Sequence, residues 1–234
     1  MGHSMTLYIQ PVYNYDNNRI EYAEVLIRQY RGIQNVPDIL RFVTKNGIES
    51  RFDLEVLDET LRVIENNESI TYPVSVNLCS RTVESPKIYK KIIGTIRKYN
   101  IKPNKIILEV NEETKFDSNN VIENLKKLKA FGVLLALDDF GTERTNMMSF
   151  VVNEFDIIKI DKSFISEDSW KIKKQVLDGV VDICKRLGLD TIVEGVETKS
   201  QLDEIQRLGL NKVQGFFYKR PEPLVGYGKE TEVK

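Results

Sequence analysis

Alternating strand and helix patterns predict an α/β fold for this sequence of 234 residues. A closed (β/α)8 barrel, or TIM-like barrel, is the architecture that fits them best. About eight strands are expected, their connections to the helices are short, and polar residues recur where the strands end. An open doubly wound sheet is the alternative, but no glycine-rich phosphate-binding loop follows any of the strands.

The chain begins with a predicted antiparallel hairpin and continues as strand-helix units. The hairpin strands are expected at Thr6–Tyr13 and Arg19–Tyr30, around a turn rich in Asn and Asp. The other predicted strands are Tyr72–Leu78, Lys105–Asn111, Val133–Leu137, Phe155–Asp161, Asp190–Val193 and Lys212–Phe216. The predicted helices are Pro37–Lys45, Phe52–Asn66, Pro86–Tyr99, Ser118–Phe131, Glu167–Leu187 and Lys199–Leu208.

The composition favours a small ligand. A formal net charge of −1 provides no basic field that would attract a nucleic acid polymer or an anionic membrane. No apolar run approaches the length that crosses a bilayer, so no membrane contact is expected from this domain. Cys79 and Cys184 are isolated, lack the spacing of a metal site and fit a reducing cytoplasm.

One domain accounts for nearly all of the chain in this interpretation. Residues 1–4, Met-Gly-His-Ser, have the character of a cloning scar. Residues 5–224 are predicted to form the single barrel, and residues 225–234 a flexible tail. The only histidine, His3, lies in the scar, which excludes histidine-based triads, histidine-rich zinc sites and histidine general bases.

Two consecutive aspartates follow the most apolar predicted strand. Val133–Leu137 has no polar face and leads directly into Asp138 and Asp139. Adjacent carboxylates repel each other unless a cation or a shared proton relieves them, so the pair indicates a metal site. Taken alone, such a pair is more often a solvated strand end.

Other polar side chains are predicted at the same edge of the barrel, because the carboxyl ends of parallel strands meet at one rim. Lys159 occupies a strand face that a core strand would fill with apolar groups, and Glu24 is a charge flanked by bulky residues that needs a partner. The residues expected near the rim are Asn77, Glu109, Asp138, Lys159, Glu194 and Gln214.

Such a set of side chains predicts hard-cation chemistry. Carboxylate and amide oxygens without histidine or thiolate favour Mg²⁺, Mn²⁺ or Ca²⁺ over zinc or copper. Two ions bridged by a shared carboxylate would suit phosphodiester hydrolysis, since they activate water and neutralise the phosphate. An unrelated barrel metalloenzyme that acts on a carboxylate substrate remains a further interpretation of the same residues.

The order of these motifs resembles the EAL-domain cyclic di-GMP phosphodiesterases from about Tyr8 to Pro221. The resemblance implies a barrel whose first strand is antiparallel, and a reaction that opens cyclic di-GMP to linear pGpG. It rests on Glu24-Val25-Leu26 with Arg28, Val74–Asn77, Glu109, Asp138-Asp139-Phe140-Gly141-Thr142, Lys159-Ile160-Asp161, Glu194-Gly195-Val196-Glu197 and Gln214-Gly215.

The resemblance also implies roles for individual residues, two ions of Mg²⁺ or Mn²⁺, and a homodimer. One ion would be held by Glu24, Asn77, Glu109 and Asp138, with Asp138 bridging to a second ion at Asp139. Glu24, Lys159 and Glu194 would be the catalytic residues. Lys159 and Glu194 would position or deprotonate the attacking water. Nucleotide contacts would come from Gln10, Arg28 and Gln214, and supporting acids would be Glu112, Glu197 and Asp161.

Several positions depart from the family pattern. Val25 replaces the usual Ala, the Trp that often follows the Arg is absent, and Asn111 stands where Thr is usual. The largest departure is residues 143–146, Glu-Arg-Thr-Asn, in place of Gly-Tyr-Ser-Ser. This altered loop supports the alternative function, a catalytically weak or inactive domain that binds cyclic di-GMP as a receptor or docks a partner protein.

Overall fold

The computed structural model describes residues 5–141, 154–165 and 170–228. Eight strands form one closed ring in these residues, as the order of strand pairing shows. The strands are β1 Met5–Asn14, β2 Arg19–Tyr30, β3 Val74–Leu78, β4 Ile106–Asn111, β5 Leu134–Phe140, β6 Ile157–Ile160, β7 Asp190–Val193 and β8 Lys212–Val213. A short ninth strand, β9 Glu222–Pro223, pairs antiparallel with β1 at Tyr8 and Ile9.

The ring is parallel except at its first strand. Strands β2 to β8 pair with their neighbours in parallel, whereas β1 is antiparallel to both β2 and β8. This strand closes the barrel between the two ends of the parallel series. The predicted α/β barrel with an antiparallel first strand is therefore confirmed.

Helices lie between the strands in chain order. They are α1 Val36–Lys45, α2 Glu49–Glu65, α3 Ser80–Glu84, α4 Ile88–Ile96, α5 Asn119–Phe131, α6 Trp170–Leu187 and α7 Lys199–Arg207. The helix expected to begin at Pro86 instead begins at Ile88, because Lys87 adopts a left-handed backbone with φ of 57°. Helix α3 was not predicted, since its 5 residues are too few to show a helical period.

Two layers of apolar side chains alternate along each strand. One residue set packs outward against the helices, as Val25, Leu108 and Ile158 do. The other set points into the barrel and forms a separate inner cluster of Val12, Tyr22, Ile107, Ala136, Ile157 and Ile192. We call this set the inner layer. Residues two positions further along these strands are consequently also directed into the barrel.

Packing continues beyond the end of β9. Leu224 and Tyr227 are buried, and the side-chain nitrogen Nδ2 of Asn67 donates a hydrogen bond of 3.0 Å to the carbonyl of Tyr227. The sequence analysis predicted a flexible tail from residue 225, but one described residue of that range, Tyr227, packs into the hydrophobic core.

In the parts of the chain that the structure describes, no helix is both long enough and apolar enough to cross a bilayer.

Candidate active site

A single lysine lies at the centre of four carboxylates, one layer above the inner layer. Lys159 on β6 is only 1% exposed. Its Nζ lies 2.7 Å from Glu194 Oε1, 2.8 Å from Glu109 Oε2, 2.9 Å from Asp138 Oδ1 and 3.4 Å from Glu24 Oε2. These residues come from five different regions of the barrel, and the structure brings all of them to one mouth.

Glu24 has the most complete set of partners in this cluster. Nδ2 of Asn77 donates to its Oε1 at 2.8 Å, and Nε2 of Gln214 donates to its Oε2 at 2.9 Å. Burial pushes the pKa of Glu24 upward, but the charge of Lys159 and these hydrogen bonds hold it below the usual value. These surroundings therefore favour the ionised form of Glu24.

The other carboxylates are less well compensated, because one ammonium group faces four acids. Burial, together with the charges of Glu24 and Asp138, raises the pKa of Glu109 well above its usual value. Burial and Asp138 raise the pKa of Glu194 to about 8. Burial would lower the pKa of Lys159, but the surrounding acids raise it well above its usual range. The cluster thus retains excess negative charge that protons or cations must offset.

The arrangement of oxygens can accept divalent cations. Carboxylate oxygens of Glu24, Glu109 and Asp138 lie within 4.8 Å of one another, and so do those of Asp138, Asp139 and Glu194. Asp138 belongs to both groups. Oε1 of Glu109 is buried and accepts no hydrogen bond from the described residues, so it could serve as a ligand. Hard oxygen donors of this kind fit Mg²⁺, Mn²⁺ or Ca²⁺.

Asp139 reaches the same mouth as Asp138 through an irregular backbone. Consecutive residues of a regular strand point to opposite faces, but Asp139 has φ of 57° and the pairing register shifts between Leu137 and Phe140. Nδ2 of Asn111 donates to Oδ2 of Asp139 at 3.0 Å. Burial, followed by the charge of Asp138, raises the pKa of Asp139 to about 6.

The expected nucleotide-binding residues divide between two cavities at this mouth. Gln10 and Gln214 line a cavity of about 250 Å³ with Glu24 and Glu194, and Nε2 of Gln214 lies 3.5 Å from Oε1 of Gln10. Arg28 lines a separate cavity of about 450 Å³ on the other side of Asn77. The guanidinium of Arg28 lies 5.6 Å from the ring centre of Tyr8. The structure therefore does not group Arg28 with the two glutamines.

The three expected supporting acids lie around the cluster. Oε2 of Glu112 accepts a hydrogen bond of 3.4 Å from the backbone of Gly141, and Oδ1 of Asp161 accepts one of 2.8 Å from the backbone of Ser163. Glu197 lines the smaller cavity. Thr142 and the altered loop at residues 143–146 lie outside the described residues.

Two lining residues were missed by the sequence analysis. Lys162 and Phe216 line the smaller cavity together with Glu194. The stem of Lys162 packs against Gly195, where an added Cβ would lie 2.5 Å from Cβ of Lys162. Both residues follow a strand end that carries a predicted site residue, Lys159 or Gln214. That proximity in sequence is the signal that indicates them.

Relatives in sequence support the motif-based resemblance. The chain is 32% identical over 231 residues to the probable cyclic di-GMP phosphodiesterase PdeA of Escherichia coli, covering 94% of this chain and 31% of the relative. It is 27% identical over 227 residues to the bifunctional diguanylate cyclase/cyclic di-GMP phosphodiesterase MucR of Pseudomonas aeruginosa, covering 94% and 33%. The chain thus spans about one third of the length of these relatives.

Solved structures share the fold over nearly the whole chain. The PaMucR phosphodiesterase in complex with c-di-GMP superposes with a TM-score of 0.84 at 27% identity, covering 94% of this chain and 97% of the other. A manganese and cyclic di-GMP complex of Klebsiella pneumoniae BlrP1 has a TM-score of 0.83 at 24% identity, covering 95% and 57%, a likeness that shows the fold alone. The family model described as EAL domain matches residues 2–221, and the chain therefore belongs to the EAL domain family.

Proposed function

We propose that this protein is a metal-dependent phosphodiesterase that hydrolyses cyclic di-GMP to linear pGpG. The observation that carries the proposal is the buried cluster of four carboxylates around Lys159, with two groups of oxygens that share Asp138. The names of the relatives supply the substrate, since PdeA is called a probable cyclic di-GMP phosphodiesterase. Such a concentration of buried charge is costly, and divalent ions bound between the carboxylates would offset it.

Two ions of Mg²⁺ or Mn²⁺ are part of the proposal. Glu24, Asn77, Glu109 and Asp138 would hold the first, and Asp138 and Asp139 the second. When bound, divalent ions would neutralise the negative charge of the phosphate and lower the pKa of a water molecule next to them. Asn111, through its hydrogen bond of 3.0 Å, keeps the Asp139 carboxylate turned toward that second position.

Lys159 and Glu194 would prepare the reacting water. In the reaction a water oxygen bonds to phosphorus, one phosphodiester P–O bond breaks, and the released ribose oxygen takes up a proton. Because four acids keep Lys159 protonated, its role is to orient the carboxylates and the water by donating hydrogen bonds. Glu194 has the most exposed side chain of the four acids at 18%, so it is the acid best placed to accept the proton of the water.

Residues of the two cavities would bind the nucleotide. The amides of Gln10 and Gln214 offer donors and acceptors beside Glu24, and Arg28 offers a charged donor on the opposite side. Lys162 lines the smaller cavity beside Glu194, where its ammonium group would offer a positive charge to a phosphate. Cations on both sides of an acidic cluster suit a substrate with two phosphates.

A turnover assay tests the proposal. The protein is incubated with cyclic di-GMP and Mg²⁺ or Mn²⁺, and pGpG is measured by chromatography. Turnover that is abolished by EDTA and by Glu24→Ala would support the enzyme, provided that the variant retains the wild-type circular dichroism spectrum. Tight binding of cyclic di-GMP without any product would overturn it in favour of a receptor. Ca²⁺ is expected to inhibit, because its looser coordination organises in-line attack poorly.

Location and assembly complete the proposal. A cytoplasmic location is supported by the two cysteines, Cys79 and Cys184, which are both free thiols.

A homodimer is supported by Ile172 and Val176, two exposed apolar residues one turn apart on α6. Light scattering coupled to gel filtration tests the assembly, and a monomer at micromolar concentration would contradict the dimer.

A further inference from the structure

The side chain of Asn111 connects the ends of two neighbouring strands at the mouth of the barrel. Asn111 is the last residue of β4 and pairs in register with Asp138 on β5. Its Nδ2 donates a hydrogen bond of 3.0 Å to Oδ2 of Asp139. Its Oδ1 accepts one of 2.8 Å from the backbone N–H of Glu113. Both ends of this amide therefore have a partner, an acid of the adjacent strand and the turn that follows β4.

These two contacts fix the orientation of the amide group. An amide nitrogen only donates and an amide oxygen only accepts, so a half-turn of the group would set oxygen against the carboxylate and N–H against N–H. The turn that supplies the N–H of Glu113 is itself closed, because the backbone N–H of Thr114 donates to the carbonyl of Asn111 at 3.1 Å. Asn111 consequently presents its donor to Asp139.

The hydrogen bond restricts what Asp139 can offer to a cation. The left-handed backbone of Asp139, with φ of 57°, brings its carboxylate to the mouth, and Asn111 holds that carboxylate by one of its two oxygens. A hydrogen bond occupies a lone pair of Oδ2 and fixes the plane of the group. Coordination of one ion by both oxygens would compete with this bond, whereas coordination by Oδ1 alone would not.

Divalent ions differ in how they use a carboxylate. Mg²⁺ is small and requires nearly ideal octahedral geometry, whereas Ca²⁺ takes six to eight oxygens and readily binds both oxygens of one carboxylate. We propose that Asn111 is a positioning residue that restricts Asp139 to one ligand oxygen and thereby favours Mg²⁺ or Mn²⁺ over Ca²⁺ at the second ion position. This inference rests on the proposed function, because it concerns the second of its two ions.

Metal titration of an Asn111 variant tests the inference. Asn111→Ser keeps an oxygen that can accept from the N–H of Glu113, but it has no amide to reach Asp139. Affinities for Mn²⁺ and for Ca²⁺ are measured by calorimetry on metal-free protein without substrate. We expect the variant to bind Mn²⁺ about 10-fold more weakly and to lose less affinity for Ca²⁺, so that the preference for Mn²⁺ falls. An unchanged ratio of the two affinities would overturn the inference.

Asn14 provides a matched control, because it makes the same pair of contacts elsewhere. Its Nδ2 donates to Oε1 of Glu21 at 2.7 Å, and its Oδ1 accepts from the backbone of Asp16 at 3.1 Å. Asn14 ends the antiparallel strand β1, so it lies at the end of the barrel opposite the carboxylate cluster. Asn14→Ser should leave both metal affinities unchanged. The same shift of the ratio in Asn14→Ser would reveal a general structural effect and overturn the inference.

A double-mutant cycle tests whether Asn111 acts through Asp139. In the Asp139→Asn background, Asn111→Ser should no longer change the ratio of the affinities. A full change in that background would refute the proposed role, and so would binding of only one ion by the wild type. The outcomes separate this inference from the proposed function. Formation of pGpG by the wild type with an unchanged ratio in Asn111→Ser overturns the inference alone, whereas the expected change of ratio without any pGpG overturns the function alone.

Discussion

Nζ of Lys159 lies 2.8 Å from Oε2 of Glu109, and both side chains are almost completely buried. Ion pairs at this depth are expensive to desolvate, and this one stands next to further acids rather than alone. In the proposed function, this excess charge serves to hold cations. The following predictions test this account and the surroundings of the site.

Replacing Lys159 by Met should destabilise the metal-free protein by about 3–5 kcal/mol, because the buried acids lose the ammonium group that pairs with all four of them. Addition of Mn²⁺ should restore part of that stability, since the ions offset the same charge. Urea unfolding with and without Mn²⁺ measures both effects. The control is Lys129→Met, which breaks a partly exposed pair with Asp156 and should cost about 1 kcal/mol or less. Equal losses in the two variants would contradict the account.

Asp53 should make stability depend on pH. Its Oδ2 accepts a hydrogen bond of 2.7 Å from the backbone of Cys79, and burial raises the pKa of Asp53 to about 6. The pKa in the unfolded chain is about 3.9, so the folded state binds this proton more tightly. The resulting stabilisation is complete below about pH 4 and is lost as the pH rises through about 6.

Asp53→Asn should remove this dependence, because the amide does not titrate. Unfolding midpoints of both proteins are compared from about pH 4 to about pH 8, and their difference isolates the contribution of Asp53. The wild type should lose stability relative to Asp53→Asn as the pH rises across this range. A difference that stays constant with pH would refute the prediction.

Gly215 should tolerate no side chain. A Cβ at this position would lie 2.0 Å from the carbonyl oxygen of Val196, so Gly215→Ala must shift backbone next to Gln214 and Glu194. We expect a loss of about 2 kcal/mol or more of stability together with weaker cyclic di-GMP binding. Gly94→Ala is the control, because its Cβ meets nothing within 4 Å and should stabilise α4 by about 0.5–1 kcal/mol. Calorimetric unfolding and ligand titration are the measurements, and an unperturbed Gly215→Ala variant would count against the close contact.

Lys162 should contribute to substrate binding rather than to the chemical step. Lys162 lines the same cavity as Glu194, and its stem is packed against Gly195. Lys162→Met should raise KM for cyclic di-GMP about 10-fold with little change in kcat, and Lys162→Arg should restore most of the affinity, since a phosphate contact needs the charge. Lys90→Met, on the exposed surface of α4, serves as the control. A fall in kcat at constant KM would disprove the assignment.

The sequence predicted the barrel because the relevant signals are local. Strand alternation, short connections and Gly or Pro at element ends are properties of neighbouring residues, and they located β4, β5 and β7 to within a few residues. These local signals failed where an element was too short to show a helical period, and where one residue adopted an unusual backbone conformation. Helix α3 was missed for the first reason, and the start of α4 was placed early because Lys87 is left-handed.

The chain alone determined which residue types reach the carboxyl ends of the strands, and hence that hard-cation chemistry was available to it. Only the tertiary structure decided how they meet. Positive φ at Asp139 turns two adjacent acids to one mouth, and barrel closure brings Gln214 to 2.9 Å from Glu24. Arg28 lines a different cavity from Gln214. These relationships join residues far apart in the chain, whereas sequence patterns report only on neighbours, because their physical basis is the local geometry of the backbone.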